Sequence, residues 1–211
     1  QRRMRDAERD ALALLDVAAA VNADRDELGG AFAVADDGLR QFDGAGFDGT
    51  AQFLANRGYV VFQSNFRGST GHGRAYTFAS NGDYGNGRVQ LDIVEGVRWL
   101  LARGIGDADR VGIVGHSFGG YSTLLGLTFQ PELFKVGVAG APPADLGWSM
   151  RWLLASGDQG DLPDRSLQQT LRALSLDATD PATYARLHEQ SPMANASKMQ
   201  RPLLIKGEPG T

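Results

Sequence analysis

A chain of 211 residues, 42% hydrophobic and 22% charged, has the size and balance of one globular domain with a real core. Its net charge of −4 argues against a nucleic-acid surface, which shows a basic balance, and its longest apolar run falls far short of the ~18 residues of a membrane span. The absence of cysteine excludes disulfides, thiolate zinc sites and a cysteine nucleophile, and does not choose between cytoplasm and periplasm.

Residues 2–21 carry Leu12, Leu15 and Ala19 on one apolar stripe, the pattern of a helix. Residues 22–49 hold one short apolar stretch, Ala31 to Val34, between glycines and the turn signals Asp36-Asp37-Gly38 and Asp43-Gly44. A helix is expected over 50–57, with Thr50 as its N-cap and Gly58 past its end. The β-branched and aromatic run 59–63 predicts a buried strand, and 65–73 a loop. Val89, Ile93, Val94, Val97, Leu100 and Leu101 recur at helical spacing up to Gly104. A second strand is expected at 111–114, a helix at 118–129 stopped by Pro131, and a third strand at 135–139. Helices at 148–155, 166–174 and 181–188 precede a fourth strand at 203–206. Strands alternating with helices predict an α/β fold with a mostly parallel sheet flanked by helices. The stretch 141–200 is a helical insert after the third of these strands. Residues 1–45 stand apart as a helix and irregular segment, with the α/β domain at 46–211.

The chemistry gathers at Gly115-His116-Ser117-Phe118-Gly119. Gly-x-Ser-x-Gly between a strand and a helix is the pattern of a nucleophile elbow. Small residues let strand and helix approach while a tight turn exposes the serine hydroxyl. The next backbone N–H, that of Phe118, then faces the charge that develops on an attacked carbonyl. Composition alone yields roughly 0.2 chance matches in the chain, so context has to carry the pattern. An apolar strand precedes it, a helical stretch follows, and Gly120 adds a third small residue at the crossing. The alternative is a glycine-rich strand-to-helix turn without catalysis, although Gly115 to Gly120 lacks the G-x-G-x-x-G of a dinucleotide site.

Ordered segments around the elbow carry a resemblance. They are AQFLANRGYVVFQSNFRGSTGHG at 51–73, QLDIVEGVRWL at 90–100, DRVGIVGHSFGGY at 109–121, PELF at 131–134, Ser191-Pro192 and PLLI at 202–205. In this order they resemble the prolyl oligopeptidase family of serine peptidases, and most of all its acylaminoacyl-peptidase and dipeptidyl-peptidase branches. The resemblance implies an α/β-hydrolase fold, Ser117 as nucleophile, Phe118 N–H in the oxyanion hole, and peptide hydrolysis through an acyl-enzyme. It also implies a peptide or small acyl substrate, no cofactor, and an additional N-terminal domain in a longer protein. Phe118 stands where the family often has tyrosine, a change that leaves the backbone donor in place.

A serine nucleophile needs a base and an orienting carboxylate. His116 adjoins Ser117 and is expected to leave the elbow in another direction. His72 lies in the 65–73 loop and His188 near the end of a predicted helix. None stands where the family has its base, after the acid near the C-terminus of the domain. Glu208 follows the fourth strand too closely to match the acid. The family's strand ending in His-Gly-Gly-Pro has no readable counterpart between Ala35 and Gly49, and Leu28-Gly29-Gly30-Ala31 is a poor match too far upstream. These departures, with Gln1 in place of an initiator Met, point to a piece of a longer protein whose acid and base follow Thr211.

Trp148 and Trp152, four apart on a predicted helix, are expected to form one aromatic wall at the substrate site; the alternative places them in the core beneath the insert. The histidines show no metal-ligand spacing with carboxylates. Two other functions fit the same fold: a carboxylesterase, and a non-catalytic binding module if acid and base are truly absent.

Overall fold

The computed structural model describes residues 31–35, 48–80, 82–156, 176 and 180–207. Strands β1 (Ala31–Ala35), β2 (Val60–Gln63), β3 (Gly112–His116), β4 (Val136–Gly140) and β5 (Leu203–Lys206) form one sheet in the order β2-β1-β3-β4-β5. Every neighbouring pair is parallel. The expected α/β-hydrolase architecture is therefore present.

The sheet reaches back across the expected boundary at residue 46. Ala31–Ala35, a short apolar stretch not expected as a strand, lies inside the sheet, with Phe32 opposite both Val61 and Gly112. From β1 the chain first moves outward to β2, then returns past β1 to lay down β3, β4 and β5. That reversal puts a topological switch point between β1 and β3. Ligands of open parallel sheets bind outside the carboxyl ends of the strands at such a point.

The helices follow from the sequence with one change of cap. Helix α1 (Gly49–Ala55) is capped by Asp48, whose Oδ1 accepts the Ala51 N–H at 2.5 Å, and Thr50 lies inside the helix. A carboxylate here satisfies an orphan N–H and sits at the positive end of the helix. Helix α2 (Arg74–Thr77) is a single turn after the 65–73 loop. Helix α3 (Arg88–Leu101) buries Val89, Ile93, Val94, Val97 and Leu100, as its spacing predicts. Gly58 and Gly104, at φ 81° and 69°, end α1 and α3 in the left-handed conformation that glycine adopts without a Cβ clash. The Ile105 N–H reaches back to Leu100 O at 3.1 Å to close the second of these.

Helix α4 (Phe118–Phe129) is buried on nearly every side. Both of its threonine hydroxyls bond within the helix, Thr123 Oγ1 to Gly119 O and Thr128 Oγ1 to Leu124 O. It lies against β1, β3 and β4. The main core joins Ile113, Leu125, Leu127 and Phe134 to the buried face of α3. Between β4 and β5 the insert contains α5 (Leu146–Ser156) and α6 (Pro181–Glu189). The helices expected at 2–21 and 166–174, and Glu208, lie outside the described residues. Among the described residues no helix is long and apolar enough to cross a membrane.

Candidate active site

Ser117 is the single residue between the end of β3 and the start of α4. Its backbone sits at φ 51°, ψ −115°, a region that side-chain-bearing residues rarely occupy. Such a conformation costs on the order of 1–3 kcal/mol and persists only where the surroundings impose it. Here three contacts do so. The Ser117 N–H donates to Gly140 O at the end of β4, at 2.9 Å. Ser117 O accepts the Tyr121 N–H at 3.0 Å, the first bond of α4. Gly120 lies so close to β4 that a Cβ there would stand 2.6 Å from Gly140 O.

The side chain of Phe118 holds the turn from below. It is 5% exposed, and its ring meets Phe66, Tyr84 and Tyr121 at centroid distances of 5.7, 5.9 and 5.9 Å. Ser80 Oγ donates to the Tyr84 hydroxyl at 2.6 Å. The anchored ring fixes the first residue of α4, whose N–H has no acceptor within the helix. Ser117 is itself exposed. An exposed hydroxyl thus stands beside a backbone donor at the positive end of a 12-residue helix, a setting that favours developing negative charge.

Two loops pack against this turn. Phe66 belongs to the loop after β2. There Arg67 makes three hydrogen bonds to Asp92 on α3: from its backbone N–H at 2.9 Å, Nε at 2.7 Å and Nη2 at 2.6 Å. The hydrogen bond to Asp92 raises the Arg67 pKa. Tyr76 closes the same loop by donating to Asn65 O at 2.8 Å, and burial pushes its phenol up. The other loop follows β4. Ala141 has φ 39° and, with Ser117, is one of the two non-glycine residues at positive φ among those described. Its N–H donates to Lys206 O at 2.7 Å, and Pro142 then packs over Gly120.

The histidines divide as follows. The His116 ring turns toward β4, close enough that a Cβ on Gly140 would lie 2.8 Å from its Cδ2. His72 is half-buried and edge-on to Tyr76 at 5.2 Å. His188 pairs with Asp145, Nδ1 to Oδ2 at 2.5 Å. Trp148 and Trp152 are 55% and 53% exposed on α5, so neither is a core residue.

Sequence reasoning missed the Gly140 carbonyl, the aromatic seat around Phe118 and the Asp145–His188 pair. A backbone acceptor leaves no side-chain signal. The signal available for the pair was Asp145 itself, an N-cap residue type ahead of the apolar start of α5.

Residues 45–208 match the prolyl oligopeptidase family. Dipeptidyl aminopeptidase BIII of Pseudoxanthomonas mexicana is 39% identical over 165 residues, 77% of this chain and 22% of that protein. Dipeptidyl peptidase family member 6 of Caenorhabditis elegans is 34% identical over 173 residues, 80% of this chain and 22% of that protein. The solved acylaminoacyl peptidase of Pyrococcus horikoshii shares the fold, with a TM-score of 0.71 at 24% identity over 88% of this chain and 28% of that one. The chain thus spans about a fifth of the length of these curated relatives.

Proposed function

Because this chain belongs to the prolyl oligopeptidase family, we propose that it carries the nucleophile of a serine peptidase that releases a short unit from the amino terminus of a peptide. The observation that carries this reading is the strained backbone of Ser117, with its own N–H tied to Gly140 O at the start of a helix whose first N–H, that of Phe118, needs no acceptor within the helix. A merely structural serine in a glycine-rich turn has no need of that strain. The names of the two curated relatives support a dipeptide as the unit released.

In the proposed reaction a histidine base takes the Ser117 hydroxyl proton as Oγ attacks the scissile carbonyl carbon. The carbonyl oxygen becomes an oxyanion that accepts the Phe118 N–H. The C–N bond then breaks, the base returns the proton to the leaving amine, and an ester on Ser117 remains. Water hydrolyses that ester by the same proton relay and frees the serine. We assign the base and its carboxylate, which the family order places after β5, to the longer protein. Trp148 and Trp152 supply the apolar wall for the substrate.

The test is fluorophosphonate labelling of the full-length protein. Labelling is expected on Ser117 and lost in Ser117→Ala, with turnover of aminoacyl and dipeptidyl amides falling on the order of a million-fold. Unchanged labelling of Ser117→Ala would overturn the assignment. Turnover of short-chain esters without turnover of aminoacyl or dipeptidyl amides would move it to a carboxylesterase.

A further inference from the structure

The insert contains a buried carboxylate that the chemistry at Ser117 does not use. Asp145 lies in the loop after β4 and its side chain is 2% exposed. Its two oxygens face different helices. Oδ1 accepts the Trp148 N–H at 3.0 Å, in the first turn of α5. Oδ2 meets Nδ1 of His188 at 2.5 Å, in the last turn of α6. A carboxylate oxygen only accepts, so Nδ1 carries the proton in this contact. The Asp145 backbone carbonyl also takes both the N–H and the hydroxyl of Ser149, each at 2.9 Å.

The surrounding contacts converge on the same joint. The Met193 N–H, just beyond α6, donates to Ala144 O at 3.1 Å. Tyr184 stacks on the His188 ring with an interplanar angle of 9°, and the Arg151 guanidinium of α5 lies 3.6 Å from the centroid of Tyr184. Gly147 brings the two helices together, since a Cβ there would stand 3.1 Å from Tyr184 Cδ2 and 3.3 Å from Leu187 Cβ.

Packing alone does not call for this pair. Burying a carboxylate is costly unless it is paired, and apolar residues of the same volume hold two helices together as well or better. What the pair adds is direction. Trp148 and Trp152 are half-exposed, so their own packing does not set where they point; the backbone of α5 does. That backbone begins at Asp145.

We infer that Asp145 and His188 form a positioning clamp, which sets the direction of the Trp148–Trp152 face and so acts on substrate binding rather than on the chemistry at Ser117. The inference rests on the proposed role of the two tryptophans, and the experiment separates the two. The full-length protein and its variants are assayed on an apolar dipeptidyl amide, with rates referred to the active-site concentration titrated by a small fluorophosphonate. Trp148→Ala/Trp152→Ala raises KM if the wall binds substrate. His188→Leu raises KM about tenfold with kcat and the labelling rate within about twofold. His188→Asn restores KM, because its amide N–H stands in for Nδ1. Asp145→Ala, which opens the joint from the other side, reproduces His188→Leu. Added to the tryptophan double variant, His188→Leu has no further effect.

If the tryptophan variant leaves KM unchanged, the wall itself is wrong and the clamp falls with it. If the tryptophan variant raises KM but His188→Leu does not, or if His188→Asn behaves as His188→Leu, the clamp alone is overturned. A labelling rate that falls as KM rises also overturns it, because the pair would then act at Ser117.

Discussion

The turn that carries Ser117 and the helix that carries Trp148 both follow strands at the same end of one sheet, yet they are held in opposite ways. The turn is built from the inside. Its hydrogen bonds run backbone to backbone, its glycine fits against a carbonyl, and the Phe118 ring is seated among Phe66, Tyr84 and Tyr121. The face of α5 is built from the outside. Its tryptophans are half-exposed and its direction depends on a polar joint at Asp145. A nucleophile requires geometry that does not change with the substrate, and buried backbone contacts supply that. A recognition surface can be altered residue by residue without disturbing the chemistry beneath it.

Substitutions on the two sides should therefore read out differently, and the largest effect belongs to the turn. Phe118→Ala removes a buried ring and leaves a cavity among three aromatic neighbours, with an expected loss of about 3–5 kcal/mol of stability. Fluorophosphonate labelling should slow as well, because the residue that carries the proposed oxyanion donor has lost its anchor. Chemical denaturation and labelling kinetics of the same preparation check both. A stable, fully reactive Phe118→Ala would show that the backbone bonds suffice and that the aromatic seat is incidental.

Gly120→Ala comes next. The added Cβ would stand 2.6 Å from Gly140 O and 3.1 Å from Pro142 Cβ, neither of which is the end of a flexible side chain. The cost should be about 1–3 kcal/mol. Since Gly140 O also accepts the Ser117 N–H, the shift that relieves the clash should disturb the nucleophile and lower kcat more than it raises KM. A change in KM alone would erase the distinction between the two regions.

How far each region could be read from the sequence follows the same division. The Gly-x-Ser-x-Gly elbow was legible because close approach and a strained turn demand small residues at fixed spacing, and Gly115, Gly119 and Gly120 record that demand. Strands β2, β3 and β4 were legible as apolar runs. Strand β1 was not, because Ala31–Ala35 is five small or apolar residues with no period, and a short run of that kind does not separate strand from helix or turn. Asp48 and Thr50 are both good capping residues two positions apart, so local chemistry did not choose between them. Asp145 and His188 lie 43 residues apart, and a pair that meets only through the packing of two helices leaves no spacing to find.

A smaller and pH-dependent effect is expected at the cap of α6. Asp180 accepts the Thr183 hydroxyl at 2.8 Å, the Thr183 N–H at 3.0 Å and the Ala182 N–H at 3.3 Å. These bonds, the Thr183 hydroxyl first, hold its carboxyl below its ordinary pKa of 3.8. A lowered folded-state pKa means that the stabilisation is complete above the ordinary value and fades as pH falls through the folded one. The stability difference between the parent and Asp180→Ala should therefore be present at neutral pH and shrink in acid below that range. A difference that grows on acidification would mean that the charged form is not what the cap uses. The cap tests the outer region because α6 brings His188 to Asp145, so Asp180→Ala should raise KM slightly while leaving the Ser117 labelling rate alone.

The least change in stability is expected where the proposed recognition surface is most exposed. Trp148→Ala and Trp152→Ala remove side chains that already lie half in solvent, and Ala keeps the helix and the Trp148 backbone N–H bond to Asp145. Surface changes of this kind shift stability by no more than about 0.5 kcal/mol. Their midpoints of unfolding should coincide with the parent's while KM rises, the reverse of Phe118→Ala, where stability and labelling fall together. A marked drop in the unfolding midpoint would mean that the tryptophans hold the insert together as core residues do. The division between a buried chemical turn and an exposed, adjustable binding face would then have to be drawn elsewhere in the insert.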